Sequence, residues 1–343
     1  MLARLVRELP RGEFVFEPKW DGFRCLASCE AGHLELLSRH ERPLSRYFPE
    51  LVRAFSSVGA EPWTIDGEVL LALDGQFDFE ALMGRLHPAN SRVRELAERA
   101  PALFVAFDLL RADGESWCEA GFRRRRRRLE ALFSGVPPPL YLTPATENRA
   151  LAETWLAKFC GGGLDGVVAK PAEGAYEPGA RAMLKVKHER TADCVVAGLR
   201  AAAADDAVEV SSLLLGLVDA SGRLEHIGVA SSFGRGRRRA LTRELAPLVT
   251  DLDGHPWQQG FLHGGGATGR LKGAAGRWIP GMTLDWVPLR IERVAEVSYT
   301  QVDGHRLRHP ARFLRWRPDR TPDSCSIDQL AMTPARIAQV LSS

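Results

Sequence analysis

Lys19 has a sequence setting suited to nucleophilic chemistry. It lies in the run Glu17-Pro18-Lys19-Trp20-Asp21-Gly22-Phe23-Arg24, directly after the alternating apolar residues 14–16, which predict a strand. Pro18 has a fixed φ and no N–H, so we expect the strand to end there in a rigid bend, with Lys19 at the lip of a pocket. A lysine attacks only as the neutral amine, which requires burial or nearby positive charge to lower its pKa.

The product of an attack by Lys19 on a phosphate would be a phosphoramidate, and Arg24 could grip the same nucleotide. Taken alone, however, this short run is better explained by a surface lysine beside a turn. The remaining candidate residues decide between the two interpretations.

Two carboxylates, Asp66 and Glu68, interrupt the apolar run 63–73, which predicts a buried strand. Residues two apart in a strand point to the same face. Burial of these two carboxylates costs free energy unless a cation or a hydrogen-bond donor pairs with them. They could meet a ribose hydroxyl or a divalent ion, or form a salt bridge with a neighbouring arginine. A third acid, Asp165, lies at the entry of another predicted strand, 164–170.

Two lysines, Lys185 and Lys187, have alternate spacing in the predicted strand 183–188 and therefore share a face. Because the two ammonium groups repel each other, an anion bound between them would reduce the repulsion, and a triphosphate near Lys19 would supply this anion. Their positive field would also lower the pKa of Lys19, which the nucleophile needs.

Three further features have two interpretations each. Phe107, in the predicted strand 103–110, could stack on a base or simply fill the core. Arg39, at the end of the predicted strand 33–38, could reach a ribose or phosphate or lie in solvent. Arg123 to Arg128 occupy the middle of a predicted helix, 122–133. We interpret them as a solvated face, the alternative being a surface that attracts phosphates.

The bulk composition is that of an ordinary globular protein. With 343 residues, 45% of them hydrophobic and 26% charged, the chain can form two domains. A net charge of +3 does not by itself call for nucleic acid. None of the six cysteines forms a C-x-x-C pair, which argues against structural zinc. There is no signal-peptide pattern and no membrane-spanning apolar run, so we expect a cytoplasmic protein.

The pattern changes after His188. About five predicted strands with an embedded basic helix, 234–249, fit a small OB-type barrel, a fold that usually binds nucleic acid. A Gly-rich stretch, 253–281, is expected to be a mobile loop or a surface for a polyanion. The sequence therefore predicts two domains, 1–189 and 190–343, with a hinge near residues 188–193.

Taken together, these runs resemble, in order, the signature motifs of the ATP-dependent DNA ligases within the covalent nucleotidyltransferase superfamily. They are Lys19-Trp20-Asp21-Gly22-Phe23-Arg24, Ile65-Asp66-Gly67-Glu68, Phe107-Asp108, Asp165-Gly166-Val167-Val168-Ala169-Lys170, Leu184-Lys185-Val186-Lys187 and Arg317-Pro318-Asp319-Arg320. There are two departures, since the family usually has glutamate at the position of Asp165 and lysine at that of Arg320. The lack of further modules resembles the small stand-alone C-type bacterial ligases.

The resemblance implies an α+β fold, in which an adenylation domain of antiparallel sheets flanked by helices precedes a C-terminal OB-fold barrel. It also implies a three-step reaction. Lys19 attacks the α-phosphorus of ATP and keeps AMP, the AMP passes to the 5′-phosphate at a nick in duplex DNA, and the 3′-hydroxyl displaces it.

The resemblance further assigns roles to residues around the nucleotide. Phe107 would stack on adenine, and the backbone at Glu17 would read the adenine edge. Arg24 and Arg39 would hold the ribose and later the 5′-phosphate, and Glu68 and Asp165 would bind the ribose and Mg²⁺ or Mn²⁺. Lys185 and Lys187 would bind the α-phosphate, and the pyrophosphate would be oriented by Arg317, Asp319 and Arg320. We expect a monomer that acts in DNA repair near the nucleoid, with a repair polymerase or end-binding proteins as candidate partners.

Two other classes of function remain open from the sequence. An RNA ligase or an mRNA-capping-type nucleotidyltransferase would share the lysine pocket but differ in the nucleotide or polynucleotide. A non-catalytic OB-fold nucleic-acid binder with a decayed first domain would be expected to lack Lys19 or the paired lysines, and the chain retains all three.

Overall fold

The chain forms two compact units in a computed structural model. The structure describes residues 1–59, 62–87, 89–158, 164–204, 207–258, 260–263, 266–268, 286–331 and 336–343. The first unit comprises Met1–His188 and Thr333–Ser343, and the second comprises Glu189–Met332. The sequence assigned all residues after 189 to the second domain, whereas residues 336–343 belong to the first unit, where Val340 is buried and Leu341 is partly buried.

The first unit contains strands and helices in alternation. Its strands are β1 (Ala3–Val6), β2 (Phe14–Trp20), β3 (Phe23–Glu30), β4 (His33–Ser38), β5 (Trp63–Leu73), β6 (Gln76–Phe77), β7 (Ala102–Ala112), β8 (Glu115–Ser116), β9 (Leu140–Leu142), β10 (Leu164–Pro171) and β11 (Met183–Val186). Its helices before the second unit are α1 (Pro49–Ala54), α2 (Phe79–Gly84), α3 (Asn90–Arg99), α4 (Phe122–Leu132) and α5 (Arg149–Lys158).

These strands form two sheets whose pairings are mostly antiparallel. The larger has the order β4-β3-β5-β7-β8, with β6 on β5 and β9 on β7. The smaller has the order β1-β11-β10-β2. Helix α4 packs on β7, and α5 packs on β2 and β10. The predicted arrangement of antiparallel sheets flanked by helices is confirmed. The parallel pairing of β1 with β11 was not predicted.

Strand β2 continues through Pro18 to Trp20, so the predicted bend at Pro18 is wrong. The reason is that β2 lies at the edge of its sheet, where a proline is tolerated. The N–H of Phe16 points away from β10, to the carbonyl of Thr146, and Pro18 two residues later faces the same open side. Lys19 is therefore held on a regular strand rather than on a loop.

The second unit is built on one twisted antiparallel sheet with the order β14-β13-β12-β18-β21, with β17 on β12. Its elements are β12 (Arg190–Ala204), β13 (Ala207–Val218), β14 (Leu224–Ala230), α6 (Arg235–Leu245), β15 (Phe261–His263), β16 (Gly266–Thr268), β17 (Val287–Pro288), β18 (Val294–Tyr299), β19 (Val302–Asp303), β20 (Arg306–Leu307) and β21 (Arg312–Trp316). A bridge between Ala230 and Ala311 brings the end of β14 to the start of β21, which begins to close the sheet.

The predicted five main strands with an embedded helix are thus present in the second unit. Helix α6 packs on β13, and the core between them includes Leu213, Leu241 and Leu245. Residues 269–285, which hold the basic part of the predicted Gly-rich stretch, lie outside the described residues. The last helix, α7 (Ile337–Leu341), belongs to the first unit.

Candidate active site

A cavity of about 910 Å³ opens in the first unit between its two sheets. The predicted site residues that line it are Glu17, Lys19, Arg24, Arg39, Glu68, Phe107 and Lys185. Asp165 and Lys187 adjoin it through ion pairs to Lys19 and to each other. Residues from β2, β3, β5, β7 and β11 therefore meet at one place, although the chain between Glu17 and Lys187 is 170 residues long.

Glycines allow the backbone segments around this cavity to approach closely. A Cβ on Gly22 would lie 2.1 Å from the carbonyl oxygen of Val69, and one on Gly166 would lie 2.0 Å from that of Val186. Gly166 also has a φ of +131°, which side-chain-bearing residues rarely adopt. The second approach brings Asp165 against the end of β11, where the paired lysines lie. Glycine is therefore required at positions 22 and 166 for these backbone segments to approach so closely.

Asp165 forms ion pairs with two lysines. Its Oδ2 atom lies 2.9 Å from Nζ of Lys19 and 2.7 Å from Nζ of Lys187. Burial opposes the charge on Asp165, but the two ammonium groups outweigh it and lower the pKa of the carboxyl. Its other oxygen, Oδ1, is buried and has no hydrogen-bond partner. The shorter side chain, aspartate where the family usually has glutamate, still reaches both cations.

The pKa of Lys19 is raised, contrary to the prediction that cationic neighbours lower it. Burial favours the neutral amine, but the charge of Asp165 and its hydrogen bond, with further contributions from Asp21 and Glu68, more than reverse this effect. The sequence argument considered the lysines of β11 and not the acid between them. The protein's own groups therefore hold Lys19 as an ammonium.

Lys185, which also lines the cavity, has a lowered pKa. Partial burial is the largest cause, followed by repulsion from Lys19 and Lys187. The predicted crowding of positive charge is therefore real, but its effect falls on Lys185 rather than on Lys19. An anion in the cavity would relieve this repulsion.

The two carboxylates of β5 have different partners. Asp66 is fully buried and accepts from Arg24 through both oxygens, at 3.0 Å from Nε and 2.6 Å from Nη2. Tyr176 donates to the same acid at 2.9 Å. Asp66 is therefore the salt-bridged acid, and it fixes the guanidinium of Arg24.

Glu68 lines the cavity and accepts from the backbone N–H of Gly22 at 2.9 Å. Burial raises its pKa to about 7, against the opposing effects of Lys19 and of the Gly22 N–H. A carboxyl group with this pKa changes charge near neutral pH. It is also available to a ligand, because its only described donor is the N–H of Gly22.

Phe107 lies at one end of the cavity above a buried ion-pair network. Nζ of Lys170 lies 4.9 Å from the centre of the Phe107 ring and donates to the Phe107 carbonyl at 2.6 Å. The same ammonium pairs with Glu17 at 2.8 Å. The side chain of Glu17 is thus paired within the protein.

The arginine run of α4 is not simply a solvated face, so that interpretation is wrong for two of its members. Arg125 is fully buried and pairs with Asp108 at 2.7 Å. Arg126 is mostly buried and donates to the carbonyl of Thr143 at 2.8 Å. Sequence reasoning missed these residues as supports of the site. The signal was Asp108 directly after Phe107, because a buried acid needs a cation.

Arg317, Asp319 and Arg320 lie in the second unit, directly after β21. Nη1 of Arg317 lies 2.9 Å from both carboxylate oxygens of Asp193, and its Nη2 lies 2.7 Å from Asp319. Nε of Arg320 lies 3.5 Å from Asp193. These residues form a local ion cluster that keeps two guanidinium groups side by side.

The donor set of the first unit fits a divalent ion of the hard, oxygen-preferring kind. Asp165 Oδ1 is a buried carboxylate oxygen without a partner, and Glu68 lines the same cavity. Within the described residues, no group of three or more acidic, histidine or cysteine side chains is gathered. Mg²⁺ commonly uses one or two carboxylates and completes its shell with water and phosphate oxygens.

Comparison with known proteins identifies the family of the chain. Residues 1–187 match the family described as "ATP dependent DNA ligase domain", and residues 206–320 match the "ATP dependent DNA ligase C terminal region". DNA ligase C2 of Mycolicibacterium smegmatis is 47% identical over 335 residues, covering 97% of this chain and 94% of that protein. DNA ligase C of Mycobacterium tuberculosis is 48% identical, covering 96% and 92%.

Two more distant matches extend the comparison. The multifunctional non-homologous end joining protein LigD of Mycolicibacterium smegmatis is 30% identical over 91% of this chain, which corresponds to 37% of that protein. A solved Lig E DNA ligase has a TM-score of 0.55 at 17% identity and covers 92% of this chain, so it supports the fold alone.

The fold is therefore a nucleotidyltransferase domain followed by an OB-fold domain, as the sequence predicted. The chain belongs to the ATP-dependent DNA ligases, and it resembles the DNA ligase C proteins over nearly its whole length. Among the described helices, none is both long and apolar enough to cross a membrane.

Proposed function

We propose that this chain seals breaks in duplex DNA that carry a 3′-hydroxyl and a 5′-phosphate, with Lys19 as the nucleophile that carries AMP. The observation that carries the proposal is the position of the Lys19 ammonium on the wall of the cavity, paired with Asp165 and close to Lys185. Phosphoryl transfer needs mainly positioning and neutralisation of charge, and this arrangement offers both.

In the first step Lys19 loses its proton and Nζ attacks the α-phosphorus of ATP. The N–P bond forms as the bond from the α-phosphorus to the bridging oxygen breaks, and pyrophosphate leaves with the electron pair. Because Asp165 favours the ammonium form of Lys19, the ion pair between the two residues must weaken before Lys19 can lose its proton. The triphosphate would draw Lys185 and Lys187 toward itself.

Each other residue at the cavity has a proposed part in holding the nucleotide. Phe107 would stack on adenine, and the backbone of Glu17 would read the adenine edge. Arg24 and Arg39 would hold the ribose and later the 5′-phosphate. Lys185 and Lys187 would bind the α-phosphate, and the pyrophosphate would be oriented by Arg317, Asp319 and Arg320. The fixed fork of Arg24 supports its part, because Asp66 holds the guanidinium in one orientation.

Asp165 and Glu68 are the residues that would hold Mg²⁺ or Mn²⁺. A bound divalent ion would supply positive charge to the phosphates and would compete with Lys19 for the carboxylate of Asp165. The orphaned Oδ1 atom of Asp165 supports this part of the proposal.

In the second step an oxygen of the 5′-phosphate attacks the phosphorus of AMP, the N–P bond breaks and Lys19 regains a proton. In the third step the 3′-hydroxyl attacks the 5′-phosphorus and AMP leaves. The likeness to the LigD protein, which is named for non-homologous end joining, supports a role in DNA repair. We further propose that the protein acts as a monomer at the nucleoid. A repair polymerase or end-binding proteins are the partners that such a role would require.

The test is transfer of label from [α-³²P]ATP to the protein, followed by sealing of a nicked duplex. We expect a covalent adduct with ATP, none with GTP or NAD, and none in Lys19→Ala. Label on Lys19→Ala would refute the assignment of the nucleophile. A GMP adduct would favour the capping-type alternative, and sealing of nicked RNA but not DNA would favour an RNA ligase.

A further inference from the structure

The C-terminal helix α7 packs behind the nucleophile. Its residue Val340 is completely buried, in a cluster with Trp20, Leu70, Leu103, Val105 and Leu164. Leu341 lies at the margin of the same cluster and is partly buried. This segment is separated from Lys19 by more than 300 residues of chain and has no role in the proposed reaction.

Two residues of this cluster are the immediate neighbours of the reactive pair. Trp20 follows Lys19 on β2, and Leu164 precedes Asp165 on β10. They are also partners across the two strands, because Leu164 pairs with Trp20 in the antiparallel register. Successive side chains of a strand point to opposite faces. Trp20 and Leu164 share a buried cluster with Val340 of α7, whereas the residues next to them, Lys19 and Asp165, pair with each other 2.9 Å apart.

The position of Trp20 is determined on more than one side. Its Nε1 donates to Oγ1 of Thr143 at 2.8 Å, and its ring makes an edge contact with Phe77 at 5.7 Å between centroids. Val340 belongs to the same buried cluster as Trp20 and Leu164. Protein cores are densely packed, so removal of volume at Val340 lets its neighbours shift.

We propose that Val340 is a positioning residue for the first step, and that it acts through Trp20 and Leu164 to fix the distance between Lys19 and Asp165. This inference rests on the proposed role of Lys19 as the nucleophile. It assigns the C-terminal helix to the adenylation machinery rather than to the OB-fold domain. A displacement of about 1 Å at a reacting group can cost on the order of 100-fold in rate, so a small shift suffices.

The test compares Val340→Ala with Val58→Ala. Val58 is also completely buried in the first unit, but in a separate cluster that contains neither Trp20 nor Leu164. Both variants lose the same two methyl groups and create similar cavities. Three quantities are measured below the melting temperature of both variants: the single-turnover rate of lysyl-AMP formation, the KM for ATP, and the rate of sealing of a nick that is already adenylated.

We expect Val340→Ala to slow lysyl-AMP formation by about 10-fold or more with KM for ATP unchanged. Sealing of the adenylated nick, which does not use Lys19, should stay within about twofold of the native rate, as should both rates for Val58→Ala. Equal slowing by the two variants, or equal slowing of both steps by Val340→Ala, would overturn the proposal.

Leu341→Ala serves if Val340→Ala does not fold, because Leu341 is only partly buried. The same selective loss is expected, at smaller size, and an unchanged rate of lysyl-AMP formation in this folded variant counts against the proposal. A native protein that forms no lysyl-AMP would instead refute the proposed function itself, so the two failures can be told apart.

Discussion

Lys19 and Asp165 form an ion pair of 2.9 Å at the cavity wall, and this pair keeps the amine that we propose as the nucleophile in its protonated form. The raised pKa of Lys19 and the lowered pKa of Asp165 have the same cause. On the proposed mechanism, the amine stays protonated until another cation, such as a divalent ion, binds the carboxylate of Asp165. Several measurable consequences follow from this pair and from the groups around it.

Lys19→Arg should abolish lysyl-AMP formation without unfolding the protein. Arginine keeps the positive charge that Asp165 and Glu68 face, but it cannot be deprotonated in a protein and so cannot attack. Label transfer from ATP should be absent, whereas the melting temperature should stay close to that of the native protein. The variant should still seal a nick that is already adenylated, and loss of that activity would contradict the assignment of Lys19 to the first two steps.

Asp165→Asn should lower the pKa of Lys19, because it removes the strongest interaction that favours the ammonium form. The measurement is the pH dependence of competitive amine labelling at Lys19 in a buffer without divalent ions. Asp21→Asn is the control, because the charge of Asp21 raises the pKa of Lys19 less than that of Asp165 does, so this variant should give a smaller shift in the same direction. An unchanged or raised pKa of Lys19 in Asp165→Asn would show that burial, and not this acid, governs the amine.

Glu68 should make the free energy of unfolding depend on pH between about 4.5 and 7. Burial raises its pKa from 4.5 to about 7, so in this range the folded protein holds a proton that the unfolded chain releases. The free energy of unfolding should therefore fall as the pH rises through this window, by at most about 1.4 kcal/mol per unit of pKa difference. Below this window Glu68 is protonated in both the folded and the unfolded chain, so its contribution to the free energy of unfolding is fully present and no longer changes with pH.

Glu68→Gln should remove this part of the pH dependence, since glutamine does not titrate. The measurement is chemical denaturation of both proteins at several pH values across the window. Glu95→Gln is the control, because Glu95 is exposed and its pKa is lowered by hydrogen bonds from Arg92 rather than raised by burial. The same slope in native protein and Glu68→Gln would exclude Glu68 as its source.

Arg125→Met should destabilise the first unit by about 3–5 kcal/mol, because it leaves the buried carboxylate of Asp108 without its main partner. Arg124→Met is the matched control on the same helix. Arg124 is exposed, so its replacement should change stability by less than about 0.5 kcal/mol. Thermal or chemical unfolding measures both, and equal effects would mean that the Arg125–Asp108 pair contributes nothing specific.

Arg317→Ala should slow lysyl-AMP formation while leaving the sealing of an adenylated nick much less affected. Arg317 holds the ion cluster with Asp193 and Asp319 that we propose orients pyrophosphate, which leaves only in the first step. Arg315→Ala is the control, because Arg315 is exposed and pairs with Glu296 outside this cluster. Loss of both activities in Arg317→Ala with a normal melting temperature would assign this residue to DNA rather than to pyrophosphate.

The membership of the site could be predicted from sequence because each residue lies in a short local run. Glu68, Phe107 and Lys185 were each predicted to lie on a strand and Lys19 directly after one, and the structure puts all four around one cavity. The charge balance could not be predicted in the same way. It depends on the register of β10 between β2 and β11, which brings Asp165 to both Lys19 and Lys187.

Two other features escaped prediction because they depend on long-range packing. Strand β1 pairs in parallel with β11, whose first residue is 180 positions from its own partner Ala3. The burial of Val340 in one cluster with Trp20 brings together residues from near the two ends of the chain. Pro18 was misjudged for a related reason, since its effect depends on whether β2 has a neighbour on both sides.

The return of residues 336–343 to the first unit means that the second unit interrupts it. A fragment that stops at His188 would bare the apolar surface formed by Trp20, Leu70 and Leu164, and would tend to self-associate. The piece Glu189–Met332, by contrast, can be excised as one uninterrupted stretch. Anyone dissecting this ligase into its domains should therefore splice the final eight residues back onto the amino-terminal half.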